Sequence, residues 1–151
     1  MPVTMQQVLA EIDKDEPDYA LAAQLGPDAL PHLRQIVDAD DPLRASKAAY
    51  AASLIQGPGS VELLQKAAEH HDPQVRVTVA HALRNAADAA PTELLERLLA
   101  DQDPGVRKVA LGTVGGLGRS ALREQVAMIA AHDPAEFVRG IATETARKLG
   151  P

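Results

Sequence analysis

The sequence contains no cysteine and no tryptophan, and its 151 residues include only three aromatic side chains, Tyr19, Tyr50 and Phe137. The lack of cysteine excludes disulfide bonds and chemistry that depends on a thiolate. Hydrophobic residues nevertheless make up 46% of the chain, so its core must consist of alanine, leucine and valine. Side chains of this size favour helices that approach one another closely.

Long apolar stretches are also missing. No run approaches the roughly 20 residues needed to cross a bilayer, and residues 1–15 lack the basic start and apolar centre of a signal peptide. The formal net charge is −6, from 15 basic and 21 acidic residues, which weighs against broad binding to a polyanion. We therefore expect a cytoplasmic protein that makes no use of a membrane and for which nucleic acid is an unlikely partner.

What the sequence has instead is a dipeptide that recurs at a regular interval. Asp-Pro stands at residues 41, 72, 103 and 133, with separations of 31, 31 and 30 residues (72−41, 103−72, 133−103). Aspartate is a favoured helix cap, and proline is favoured at the first helical position. Each Asp-Pro is therefore predicted to begin a helix, and the period indicates stacked supersecondary units.

The residues after each Asp-Pro repeat an apolar pattern with helical spacing. After Asp72, residues Val75, Val79, Ala82 and Leu83 fall on one face of an α-helix. A second apolar run precedes each Asp-Pro, at residues 30–37, 61–68, 94–99 and 122–130, and no window alternates as a strand does. The unit is therefore predicted to be a helix, a tight turn and a second helix.

These units account for nearly the whole chain, which we predict to be a single domain over residues 1–151. The four repeats are expected at about 27–57, 58–89, 90–117 and 118–149. Residues 1–26 precede them and are expected to form a capping helix pair, beginning with a capping box at Thr4 and Gln7. Such a cap would shield the first repeat from water, as a terminal unit of a stacked array must.

The segments 72–76 and 103–107 both read Asp-Pro-x-Val-Arg and both precede a helix rich in alanine and leucine. This pattern resembles the HEAT-like repeats, specifically the short repeats of the phycobilisome-lyase type, over roughly residues 17–149. The first copy is a variant that ends at Arg44, and in the last copy Arg139 comes two residues late. The resemblance implies an all-α fold, a right-handed superhelix.

In such repeats the turn aspartate and the helix arginine commonly form a ladder between neighbouring units. The resemblance implies this structural role for Asp72, Arg76, Asp103 and Arg107, and also for Arg44.

The resemblance further implies that the second helices of successive units line a concave wall. Counted from the aspartate of each Asp-Pro, the ninth residue is Tyr50, His81 or Gly112, and the sixth is Lys47, Thr78 or Val109. From these positions and their neighbours we predict a partner-binding surface that consists of Lys47, Tyr50, Ser53, Thr78, His81, Arg84, Lys108 and Gly112. Because the second helices of the first three units are basic and carry no Asp or Glu beyond their caps, we expect another protein or peptide, with acidic groups, to dock there. The predicted function is a non-catalytic interaction or scaffold module.

Three other activities of related proteins are weighed against this interpretation. Phycobilin lyase subunits, or other accessory subunits that handle a ligand, are the main alternative. Alkylpurine DNA glycosylases read DNA with basic surfaces and stacking aromatic rings, which this acidic chain without tryptophan does not offer. Deoxyhypusine hydroxylase holds iron with His-Glu pairs; none occurs here, and His70, His71, His81 and His132 would have to converge with a carboxylate. We therefore expect no cofactor, no metal and no enzymatic activity.

One helix departs from the pattern. The segment after Pro104 contains Gly112, Gly115 and Gly116, each of which costs about 1 kcal/mol relative to alanine inside a helix. The glycines predict either close packing against a neighbouring helix or a gap left for a ligand or partner.

Overall fold

The computed structural model of the protein describes residues 2–151, and within them it shows ten α-helices, three short 3-10 turns and no β-strand. The all-α prediction is therefore confirmed for this part of the chain. The helices are α1 (Met5–Ile12), α2 (Tyr19–Gln24), α3 (Leu30–Asp38), α4 (Pro42–Ser53), α5 (Pro58–Ala67), α6 (Pro73–Ala86), α7 (Thr92–Leu99), α8 (Pro104–Leu117), α9 (Arg123–His132) and α10 (Glu136–Leu149).

The helices stack as successive pairs in two layers. In one layer, α2, α4, α6, α8 and α10 each pack against the next, while the odd-numbered helices form the other layer. Each interface is lined by fully buried aliphatic side chains, such as Val75 and Val79 of α6 and Val106 and Ala110 of α8. The core is thus continuous from one end of the stack to the other, as in an α-solenoid.

Three of the four Asp-Pro dipeptides begin helices as predicted. Asp41, Asp72 and Asp103 are the N-caps of α4, α6 and α8, and each carboxylate accepts a hydrogen bond from a backbone N–H of the first turn. The proline that follows occupies the first helical position, where its missing N–H costs nothing.

The fourth Asp-Pro does not begin a helix, so that prediction was wrong. Helix α10 starts at Glu136 and its N-cap is Ala135, two residues beyond Asp133. The carboxylate of Asp133 instead accepts the N–H of Ala135 at 2.9 Å. This shift explains why Arg139 comes late in the sequence: it lies four residues after its N-cap, as Arg76 and Arg107 do after theirs.

An arginine–aspartate ladder joins the later units. The guanidinium of Arg76 donates to both carboxylate oxygens of Asp101, at 2.9 and 3.1 Å, and Arg107 donates to both oxygens of Asp133, at 2.7 and 2.9 Å. Both pairs are largely buried, with Asp133 only 4% exposed in its side chain. Hydrogen bonds from Arg107 hold the pKa of Asp133 below its ordinary value.

The ladder confirms the predicted role of Arg76 and Arg107 and corrects the role of the aspartates. Asp72 and Asp103 act as helix caps, and the carboxylates that bind the arginines lie two residues before an N-cap. We call that site the ladder aspartate position, and the site four residues after an N-cap the ladder arginine position.

Arg44 does not belong to the ladder. It lies three residues after its N-cap, Asp41, rather than four, and one residue of an α-helix is a rotation of about 100°. The side chain therefore points to the preceding pair, where it donates to both oxygens of Asp13 at 2.9 and 2.7 Å. Ala45 occupies the ladder arginine position of α4, and His70 occupies the ladder aspartate position of the next pair.

Candidate functional site

The even-numbered helices form the floor of a groove of about 910 Å³ that runs across α2, α4, α6 and α8. We call this depression the groove. Most of its lining is contributed by three consecutive helices: Pro17 and Tyr19 beside or in α2, Pro42, Leu43, Ser46, Lys47 and Tyr50 in α4, and Gln74, Val77, Thr78 and His81 in α6. Asp15 and Val109 lie at its two ends.

Three rings form a row along the groove. Tyr19 and Tyr50 meet edge to face, with ring centroids 4.7 Å apart, and Tyr50 stacks on His81 with centroids 6.0 Å apart and planes 15° from parallel. Burial, and secondarily the neighbouring Tyr50, raises the pKa of Tyr19. The row presents apolar ring surface with polar edges.

Four of the eight predicted site residues lie in the groove: Lys47, Tyr50, Thr78 and His81. The ammonium of Lys47 donates to the carbonyl of Lys14 at 3.2 Å, which ties α4 to the loop after α1. The hydroxyl of Thr78 donates to the carbonyl of Gln74 within α6. His81 is exposed, so its ring is accessible beside Tyr50.

Ser53 is not on the surface, contrary to the prediction. Its side chain is buried, its hydroxyl donates to the carbonyl of Tyr50, and it accepts a hydrogen bond from the amide of Asn85 at 3.0 Å. Ser53 therefore links α4 to α6, and it cannot contact a partner without breaking that link.

Arg84, Gly112 and Lys108 lie outside the groove lining. The Nε of Arg84 donates to the hydroxyl of Thr113 at 3.1 Å. A Cβ on Gly112 would lie 2.8 Å from a terminal nitrogen of the Arg84 guanidinium. Gly112 thus makes room for Arg84. Lys108 is exposed on α8, next to Val109 at the end of the groove.

The three glycines of α8 have different surroundings. A Cβ on Gly115 would lie 3.3 Å from the Cγ2 of Thr145, which fits the predicted close packing against the next helix. Gly116 has no neighbouring atom within 4 Å of that position. None of the three glycines lines the groove.

Several lining residues were missed by sequence reasoning. Leu43 and Gln74 lie two residues after their N-caps, and Ser46 and Val77 lie five residues after them. These offsets share a helical face with the offsets six and nine, so the helical period would have found them. Tyr19 had no such signal, because α2 belongs to a pair without the Asp-Pro motif.

No group of three or more His, Asp or Glu side chains within residues 2–151 is arranged to hold a metal ion. Among the same residues, no helix combines the length and the apolar character that crossing a membrane requires.

Helices stacked as pairs in two layers, with a groove along one layer, define an α-solenoid over the described part of the chain. The family model described as HEAT repeats matches the chain twice, over residues 30–115 and 61–147, and the two matches together cover more than two thirds of it. The chain therefore belongs to the HEAT-repeat family, whose members commonly mediate protein–protein interaction. The phycobilisome-lyase subtype stays a prediction. No curated protein matches the chain in sequence.

Proposed function

We propose that this protein is a non-catalytic interaction module that binds an extended segment of another protein in the groove. The observation that carries the proposal is the row formed by Tyr19, Tyr50 and His81 in an open depression of about 910 Å³. Tyrosine rings are frequent anchors at interfaces because they offer a large apolar surface at low entropic cost. Leu43, 66% exposed, adds an unprotected apolar side chain to the same lining.

The basic side chains around the groove favour a segment whose acidic side chains lie away from Asp15, which occupies one end of the lining. Lys108 is exposed beside the α8 end of the groove and forms no ion pair with residues 2–151, and within the same residues Arg84 donates only to the neutral hydroxyl of Thr113. Lys47 is held by a carbonyl, so its charge is also uncompensated by a carboxylate. Exposed charges of this kind speed association and select partners more than they add affinity.

The same residues give little support for catalysis. His81 stacks on Tyr50 and forms no hydrogen bond to a side chain within residues 2–151. A general base is usually oriented by such a bond and lies within reach of a nucleophile. The groove therefore supports binding rather than a reaction.

A displayed library of random peptides selected on the wild-type protein provides the test, with affinities of the selected peptides then measured by fluorescence anisotropy. We expect Tyr50→Ala to weaken binding by at least about tenfold, as removal of an aromatic anchor usually does, and Lys47→Glu to weaken acidic peptides most. Phe137→Ala and Lys148→Glu are matched controls, because both residues are exposed on α10, away from the groove. Selected peptides that bind Tyr50→Ala and the wild type equally would contradict the proposal.

The volume of the groove also lies in the range of small-molecule sites, about 300 to 1,000 Å³. A ligand-handling role, as in phycobilin lyase subunits, is therefore the second candidate. Titration with an open-chain tetrapyrrole distinguishes the two: a shift in its absorbance that Tyr50→Ala removes, together with no selected peptide, would favour the ligand.

A further inference from the structure

We call the boundary between two successive helix pairs a seam. The ladder positions at the four seams between α2 and α10 follow a simple rule. At two seams both members are present, as Arg76 with Asp101 and as Arg107 with Asp133. At the other two seams both are absent. Ala22 and Ala45 stand at the ladder arginine positions, and Ala39 and His70 stand at the ladder aspartate positions that follow them. At these four seams, an arginine therefore occurs only where a carboxylate faces it.

Arg139 is the ladder arginine of α10, and within residues 2–151 no carboxylate faces it. One of its terminal nitrogens donates to the carbonyl of Asp133 at 2.7 Å, as Arg76 and Arg107 donate to the carbonyls of their own turns. In those two arginines the other edge of the guanidinium, formed by Nε and the second terminal nitrogen, donates two hydrogen bonds to the carboxylate of the next aspartate. In Arg139 that edge makes no hydrogen bond to residues 2–151, so a half-buried guanidinium is already oriented for a carboxylate.

The complementary group lies at the opposite end of the stack. Glu16 occupies the ladder aspartate position of the first pair, two residues before the N-cap Asp18, and no arginine precedes it there. Glu16 is exposed and forms no ion pair with residues 2–151. One end of the stack thus offers an arginine, and the other end offers a carboxylate in the same register.

Apolar exposure follows the same division. Four large hydrophobic side chains are exposed within residues 2–151: Leu43 lies in the groove, Leu21 belongs to the first pair, and Met128 and Phe137 belong to the last. The exposed fractions in these two end pairs are 41% for Leu21, 60% for Met128 and 52% for Phe137. Large apolar side chains are therefore exposed on both end units.

We propose that copies of this chain associate end to end, with the Arg139 guanidinium of one copy binding the Glu16 carboxylate of the next. The contact continues the ladder across a seam between two molecules. Because it joins different surfaces of the two partners, it repeats at each free end and forms open chains rather than closed dimers. An exposed ion pair contributes little by itself, so the association is weak and depends on concentration and salt.

Sedimentation velocity of the purified 151-residue protein at low salt, over concentrations up to about 1 mM, tests this proposal. For the wild type we expect the average mass to rise continuously beyond that of a dimer. Arg139→Glu and Glu16→Arg should each remain monomeric, while Arg147→Glu, an equal charge change elsewhere on α10, should associate as the wild type does.

A mixture of two neutral end variants is the sharpest measurement. The Arg139→Gln protein keeps Glu16 and the Glu16→Gln protein keeps Arg139, so one intact contact can form between them, while the neutral amides at their outer ends cannot form an ion pair. The mixture should therefore stop at a one-to-one dimer. A wild type that is monomeric at every concentration, variants that associate like the wild type, or a mixture that forms no dimer would each overturn the proposal. If Arg139→Glu does not fold by circular dichroism, Arg139→Gln replaces it.

Discussion

The seams in the first half of the stack differ from those in the second half. Between α6 and α8 and between α8 and α10, a largely buried arginine–aspartate pair bridges the turns. Between α2 and α4 and between α4 and α6 the ladder is absent, and the groove lies over those helices. A bidentate pair does occur beside these helices, Arg44 with Asp13, but its side chains are 48% and 35% exposed.

The same repeat is thus used in two ways, with the ladder and without it. Where the ladder is present, charged side chains bind one another inside the protein and join neighbouring units. Where it is absent, alanine or histidine occupies the ladder positions, and the neighbouring helical face carries the ring row and Leu43. The ladder therefore joins the units at one end of the molecule, and the groove lies toward the other end.

The largest expected effect separates the two halves directly. Asp133→Ala should lower the free energy of unfolding by about 3 kcal/mol, because it leaves the buried guanidinium of Arg107 without its counterion. Asp13→Ala removes the corresponding partner of Arg44 at an exposed site and should cost less than about 1 kcal/mol. Urea denaturation measures both values. Equal losses would show that the halves are held in the same way.

The same pair predicts a dependence on pH. The folded-state pKa of Asp133 is depressed, so the stability it contributes is fully present above the unfolded-state pKa of about 4 and is lost as the pH falls through the folded-state pKa. The difference in unfolding free energy between the wild type and Asp133→Ala should therefore shrink below about pH 4. Urea titrations at several acidic pH values measure it, and a constant difference would contradict the assignment of the charge to this carboxylate.

A pair of asparagine variants separates the two roles of the ladder aspartate position. The Nδ1 of His70 accepts the N–H of Asp72, and the carboxylate of Asp101 accepts the N–H of Asp103 while it also binds Arg76. Asparagine can accept the turn bond at both positions. At position 101 it also replaces the carboxylate that binds Arg76 with a neutral amide. We expect Asp101→Asn to cost about 2 kcal/mol and His70→Asn about 0.5 kcal/mol or less.

Similar losses for the two variants would mean that the turn bond, rather than the arginine, dominates at this position. Thermal unfolding of both proteins under identical conditions provides that comparison.

The smallest effect concerns a weakness in the second half. Gly116→Ala should raise the unfolding free energy by about 0.5 kcal/mol, because alanine favours the helix and its Cβ meets no atom within 4 Å. Gly115→Ala is the matched control, since its Cβ would press on Thr145 and cancel part of the gain. Denaturation midpoints measure both, and a loss of stability in Gly116→Ala would contradict the packing described for α8.

Much of the fold could be predicted because its signals are local. The caps at Asp41, Asp72 and Asp103 depend only on adjacent residues, and the apolar period places each helix face. Asp133 misled the prediction because the same dipeptide serves there as a ladder carboxylate. Which of two neighbouring aspartates an arginine reaches depends on the geometry between units, which the sequence alone does not contain.

The candidate site was only partly predictable for a related reason. Lys47, Tyr50, Thr78 and His81 were found by counting along similar helices, and the structure brings them together. Ser53 lies one helical turn further on, where the same counting cannot tell a buried face from an exposed one. Tyr19 reaches the groove from a pair whose sequence does not repeat the motif, so only packing reveals it.

The arginines of the ladder also limit where the repeat can change its length. In three successive turns the ladder aspartate position and the following arginine are six residues apart, whereas the distance from an arginine to the next aspartate is 25 residues in one unit and 26 in the other. Since the guanidinium crosses the seam through space, the added residue is absorbed in the connection through the outer helix. Insertions and deletions can therefore accumulate on the outer layer during evolution while the pitch of the inner layer stays constant.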